Sequence, residues 1–199
     1  ELNYKNNILF EFNSMSSSIV CYAYLSNVLS KKYNSNIIAY NPYLISFIKL
    51  RYLAIKDYLS LNYINYKVWK SFGVKKIIYP KINSDQISEA KKITNKIYEK
   101  MNCKQDILNI KIENVWIGDL LYDSYLRENM LPTIDINSLS FKKFLNKSVS
   151  LYVFWRDYII NNNVVAVHVS HTCYNHAIPL RIAIKLKIKA FQITAESIY

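Results

Sequence analysis

The chain predicts an α/β protein, a Rossmann-like, doubly wound and mainly parallel sheet with helices on both faces, and three observations lead there. The first is Val164–Tyr174, VVAVHVSHTCY, whose β-branched run follows a polar Asn161-Asn162-Asn163 turn. It reads as a central strand buried on both faces, as a parallel sheet requires. The second is alternation: short extended runs and helical stretches follow one another as β-α-β-α-α-β-α-(β)-α-α-β-α-β, the pattern of a parallel sheet joined by crossover helices. The third is uniformity. No internal repeat, proline-rich linker or low-complexity tract divides residues 1–199, which read as one domain long enough to bury a full core.

Residues 7–13, NILFEFN, form the first strand, apolar on both faces except Glu11. A carboxylate there is costly to bury unless it is paired or lies at an exposed end, and Glu11 lies near the end. The serines of Ser14-Met15-Ser16-Ser17-Ser18 cap a helix from Ile19 to Lys32. Two readings stand for that turn: plain capping, or a helix start whose amides and hydroxyls hold a sugar hydroxyl, carboxylate or phosphate. Residues 36–40, NIIAY, are a second strand stopped by Asn41-Pro42. Leu44, Phe47, Ile48, Ile55 and Leu59 recur at helical spacing, a shorter helix around residues 67–72 ends at Gly73, and residues 76–79 form a third strand before Pro80. Ser84 is the expected cap of the next helix, with Ile87, Ala90, Ile97 and Met101 facing inward.

Ile110, Ile112, Val115 and Ile117 look extended, Gly118 breaks the run, and Asp119 can cap a helix carrying Asp119, Asp123 and Arg127 on one face at i, i+4 and i+8. That face is either a surface ion pair worth a few tenths of a kcal/mol or a polar face aimed at a ligand. Ser138 or Ser140 opens a helix with Phe141, Phe144, Leu145, Tyr152, Trp155 and Ile159 as a core stripe, and Arg156-Asp157 reads as a local pair. After the central strand come a helix over residues 176–187 and a last strand over residues 189–194.

Composition excludes several classes. A formal charge of +12 suggests nucleic acid, but 22 of the 26 basic residues are Lys, and no Lys/Arg run exceeds two. Base and phosphate recognition favours the Arg fork, so no nucleic-acid partner is expected; the charge reads first as lysines of a Lys-, Asn-, Ile- and Tyr-rich chain spread over solvated faces, with an anionic substrate or membrane surface as the alternative. Only Gly73 and Gly118 are glycines, which rules out a P-loop, a GxGxxG fingerprint and a GxSxG elbow. No apolar run reaches the ~20 residues of a membrane span, and the first residues lack a basic start followed by an apolar core. Cys21, Cys103 and Cys173 form no CxxC pair and read as reduced thiols, which places the chain in the cytoplasm.

Function is expected beyond the carboxyl end of the central strand, where open α/β sheets bind their ligands. There the sequence places Ser170, His171, Thr172 and Tyr174. All three histidines fall in HVSHTCYNH, but the spacing of His168, His171, Cys173 and His176 suits a zinc site poorly, and no metal is expected. His168 reads as a hydrogen-bonded sheet histidine. His171 is either a general base at the crevice or a loop residue bonded to backbone.

The segments FEFNSMSSSI, IGDLLYDSYLR and VSHTCYNHAIPLRIA resemble parts of bacterial surface-polysaccharide (capsule and O-antigen) biosynthesis proteins of the GT-B glycosyltransferase type, over most of the chain. The resemblance implies the first of two Rossmann-like domains, which holds the acceptor, a glycan or lipid-linked glycan. A second domain, outside these residues, holds the nucleotide-sugar donor. It also implies transfer in the interdomain cleft without an obligatory metal or other cofactor, with residues 13–18, 118–127 and 170–174 on the acceptor side. Within that cleft, residue chemistry suggests His171 or Asp119 as the base and Arg127 and Arg181 on anionic groups. Asn13, Ser16, Ser17, Ser18, Asp123, Ser170, Thr172 and Tyr174 would contact the acceptor. Peripheral association with the inner membrane fits such an acceptor. The same surface also fits a non-catalytic glycan- or membrane-binding module, or transfer of a non-sugar group to the glycan.

Overall fold

The structure, a computed structural model, describes residues 4–12, 16–44 and 67–192. Five parallel strands make the sheet: β1 (Asn6–Glu11), β2 (Ser35–Tyr40), β3 (Val74–Ile78), β6 (Val164–Val169) and β7 (Lys189–Gln192), in the spatial order β3-β2-β1-β6-β7. The helices are α1 (Ser16–Tyr33), α2 (Ser84–Tyr98), α3 (Lys104–Leu108), α4 (Gly118–Asn129), α5 (Leu139–Asn161) and α6 (Ile178–Lys185). This is the expected α/β, Rossmann-like, doubly wound class. The chain builds outward from β1 to β3, then returns beside β1 with β6, so the strand order reverses between β1 and β6. That reversal opens a crevice at the carboxyl ends of those two strands.

Alternation along each strand explains why both sheet faces are covered. Leu9, Ile38, Tyr40, Val167 and Val169 point to the face packed by α2, α4, α5 and α6. Ile8, Phe10, Ile37, Ala39 and Ala166 point to the face covered by Ile19, Tyr22, Ala23 and Leu29 of α1, and by Trp69 from helical residues 67–71. The predicted stripe of α5 is buried throughout, and Trp155 meets Tyr40 edge-on at 4.7 Å. Each such side chain contributes about 1.5–3 kcal/mol by leaving water.

Several boundaries differ from expectation for local reasons. The cap of α2 is Asn83 rather than Ser84. Asn83 Oδ1 accepts from the Gln86 amide (2.8 Å) and Gln86 Oε1 accepts from the Asn83 amide (3.1 Å), so both orphan donors are satisfied at once. Ile87 is half exposed instead of inward. Residues 110–117 do not join the main sheet: β4 (Lys111–Ile112) and β5 (Val115–Trp116) form a separate antiparallel ribbon, turned by Glu113 and Asn114 at φ 51° and 63°. Gly118 is required where it stands, because a Cβ there would sit 2.2 Å from the Ile107 carbonyl oxygen. The last helix begins at Ile178, after a 3-10 turn over Asn175–Ala177. The expected helix through Phe47, Ile55 and Leu59 lies outside the described residues.

Candidate active site

The crevice at the strand reversal is built around Glu11, the last residue of β1. Ser170, the first residue past β6, donates to it twice, from its amide to Oε2 and from its hydroxyl to Oε1, each at 2.7 Å. His176 Nδ1 lies 3.4 Å from Oε1, an ion-pair distance, while Nε2 is hydrogen-bonded to the Tyr43 hydroxyl. Glu11 is thus paired and only 4% exposed, not at an open strand end as its position suggested. Burial would raise its pKa; contact with His176 and the two bonds from Ser170 outweigh that and hold the carboxyl below its ordinary value. Its charge acts outward too: burial first, then Glu11, raises the phenols of Tyr22, Tyr40 and Tyr43.

The histidine is held by its own turn. The Asn175 amide donates to Ser124 Oγ of α4 (2.7 Å), and its Nδ2 donates to Ser148 Oγ of α5 (2.9 Å), so the 3-10 turn is anchored to two helices. Tyr174, just before it, has φ 62° and ψ 176°, a combination that costs a residue with a Cβ of order 1–3 kcal/mol. Its ring lies under the Arg127 guanidinium at 4.5 Å. Tyr43, Ser124, Arg127, Tyr174, Asn175 and His176, with Glu128, line a cavity of about 200 Å³. That is below the ~300–1,000 Å³ of drug-sized ligand sites and suits one sugar ring or one anionic group. Arg127 makes no ion pair among the described residues, whereas Glu128 meets Lys147 at 3.6 Å.

The residues singled out from sequence separate into three places. Ser170, Tyr174 and Arg127 belong to the crevice, and His171 stands at its rim, exposed, with its ring 6.4 Å from that of His176. Thr172 and Cys173 are exposed beside it. Asp119, Asp123 and Arg127 do not act together: Asp119 pairs with Arg181 of α6 at 2.6 Å, Asp123 faces solvent, and Arg127 turns to Tyr174. Arg181 also lies over the Trp116 ring at 5.0 Å, which fixes the Asp119–Arg181 pair between the β4–β5 ribbon and α6. Asn13 lies outside the described residues; Ser16, Ser17 and Ser18 form the first turn of α1. Among the described residues no group of His, Cys, Asp and Glu converges as a metal site.

His168 is in the sheet as expected but not hydrogen-bonded. Its ring stacks on Phe10 at 4.6 Å, meets Tyr22 edge-on at 4.8 Å, and neither ring nitrogen has a hydrogen-bond partner among the described residues. Burial pushes its pKa down to about 4 against the pull of Glu11. The two groups with the most capacity for proton chemistry, Glu11 and His176, were not among the sequence candidates. The available signal was a lone acid in an apolar strand, expensive to keep unless it is used. No family model matches this chain, and neither does any curated protein or any solved structure.

Proposed function

We propose that this chain is the acceptor-side domain of a GT-B-type glycosyltransferase of surface-polysaccharide biosynthesis, with His176 as the base at the β1–β6 crevice. The observation that carries the reading is the Glu11–His176–Tyr43 line at the strand reversal. A buried carboxylate faces one imidazole nitrogen, and the other nitrogen points at a hydroxyl beside a cavity of sugar-ring size. The Tyr43 oxygen marks where an acceptor hydroxyl would sit. His176 Nε2 takes the proton from that hydroxyl as its oxygen attacks the anomeric carbon of a nucleotide sugar, and the nucleotide leaves with the electron pair of the broken glycosyl bond. Glu11, with Oε1 3.4 Å from Nδ1, stabilises the imidazolium that forms. His176 suits the role better than His171, which pairs with no carboxylate among the described residues, or Asp119, whose charge is engaged by Arg181.

Arg127, stacked on Tyr174 and without an acidic partner among the described residues, favours an anionic group on the acceptor, and also supports transfer of a phosphoryl group in place of a sugar. The test is a transfer assay of the complete protein with UDP-, GDP- and CMP-sugars, donor binding being followed by calorimetry. His176→Ala is expected to lower kcat by about 10²–10⁴-fold, and His171→Ala to leave it within about twofold. Donor binding with an undiminished rate in His176→Ala would remove the base assignment; absence of nucleotide-sugar binding would remove the glycosyltransferase reading itself.

A further inference from the structure

We propose that the outer face of α1, with the lysines beside it, docks the protein on an anionic bilayer surface. The outward residues of α1 are Val20, Cys21, Tyr24, Val28, Lys31 and Lys32, which helical spacing places on one face. Val20 is 55% exposed, Tyr24 62% and Val28 41%. A helix face turned to water ordinarily carries charges of both signs. This one carries two turns of valine and tyrosine and then only lysine.

The neighbouring segment extends the same surface. Asn27 Nδ2 donates to the Phe72 carbonyl at 3.0 Å, and the Tyr24 ring meets Phe72 edge-on at 6.4 Å, so helical residues 67–71 lie alongside α1 and bring exposed Lys70 with them. Residues 16–44 and 67–84 hold seven lysines and no acid, whereas residues 85–192 intersperse ten acids with fifteen bases. Of those lysines, Lys31 and Lys32 on α1 and Lys70 beside it stand next to the exposed apolar stripe.

That combination selects one partner. Lysine ammonium groups gain about 1 kcal/mol each beside an anionic leaflet, and their stems can lie along apolar surface while the charge stays in water. Valines and a tyrosine enter the headgroup and acyl boundary, where tyrosine is favoured. A nucleic acid would use the lysines but offers nothing to Val20 and Val28, and the described part of this face has no arginine. No described helix is long and apolar enough to cross a membrane, so the contact is with the surface. The inference does not depend on the chemistry of the crevice.

Flotation of the complete protein with vesicles tests it. Binding is expected to vesicles of phosphatidylcholine with phosphatidylglycerol and not to phosphatidylcholine alone, and it should fade as salt rises from about 0.1 M to about 1 M. Lys31→Glu, Lys32→Glu and Lys70→Glu together should weaken it by about 100-fold or more. Val20→Ser, Tyr24→Ser and Val28→Ser together should weaken it by about tenfold or more, and since all six positions are exposed, far-ultraviolet circular dichroism should stay unchanged. A polarity-sensitive dye on Cys21, in a Cys103→Ser, Cys173→Ser background, should shift to the blue on anionic vesicles. No binding, equal binding to neutral vesicles, or binding untouched by the serine variants and competed away by an oligonucleotide would each overturn the proposal.

Discussion

Arg156 and Glu11 each stand at the centre of an ion cluster, and the two clusters are built on opposite terms. Arg156 of α5 gathers Glu89 from α2, Glu113 from the β4–β5 turn and its neighbour Asp157, with all three guanidinium nitrogens bonded at 2.7–2.9 Å. Gln86 closes on Asp157 and Tyr152 on Glu113, so the network is saturated, and its carboxylates still touch water. The sequence reading of Arg156-Asp157 as a local pair captured one contact of a clamp that ties three elements together. Glu11 instead is buried and faces one titratable ring, His176, that lines a cavity; His176 Nδ1 and Asn175 Oδ1 have no hydrogen-bond partner among the described residues, and Tyr174 is strained beside them. A saturated cluster has no capacity left for a ligand. An unsaturated one, assembled from three separate chain segments, has that capacity and is costly to keep otherwise.

The largest effect that separates the two is loss of the central charge. Glu11→Ala leaves the buried Ser170 amide and hydroxyl without an acceptor and is expected to cost about 3–5 kcal/mol of unfolding free energy. Arg156→Ala leaves carboxylates that water can reach and should cost about 1–2 kcal/mol. Urea unfolding of both variants measures this; equal costs would break the distinction between a buried centre and a solvent-screened clamp.

The next effect concerns His168, which shares the Glu11 field but not the cavity. Its pKa is about 4 in the folded protein and about 6.5 in an unfolded chain. A depressed folded value means the unfolded state takes up the proton first. The stabilisation is therefore complete above about pH 6.5 and is lost as pH falls toward about 4, by roughly 3 kcal/mol at ~1.4 kcal/mol per unit. Glu11, held low in the folded state, acts in the same direction, losing its contribution as pH falls through its own lowered value. His168→Phe keeps a ring against Phe10 and should flatten stability between about pH 6.5 and pH 4. An unchanged profile would mean that the Phe10–Tyr22 box does not set the acid sensitivity.

What was legible in the sequence divides along the same line. The central strand, the strand-helix alternation and the α5 stripe were readable because each rests on periodicity within one segment. The neighbourhood of Ser170, Tyr174 and Arg127 was readable because a strand's carboxyl end is a local landmark with a general rule attached. The Glu11–His176–Tyr43 line was not, since it joins residues up to 165 positions apart through a strand order that alternation alone does not fix. Asp119 illustrates the converse: its i+4 and i+8 neighbours suggested one functional face, but Arg181 of α6, 62 positions away, is its nearer partner. The Asn83 cap was hidden by a serine one residue later that looks equally suitable.

The smallest effect tests whether the crevice stores strain. At φ 62° and ψ 176°, position 174 suits glycine, which has no Cβ to clash. Tyr174→Ala keeps the clash and removes the ring from under Arg127, so it should destabilise; Tyr174→Gly removes both the ring and the clash. Glycine is expected to be about 1 kcal/mol more stable than alanine here, the reverse of their order where φ is negative. Thermal unfolding of the pair gives the sign directly. If alanine is the more stable, the Tyr174 backbone is relaxed, and the contrast with the Arg156 clamp rests on unfilled hydrogen-bonding capacity alone. If glycine is, Tyr174 is kept at a cost to folding, which is understandable only if its ring and Arg127 meet something in the cavity.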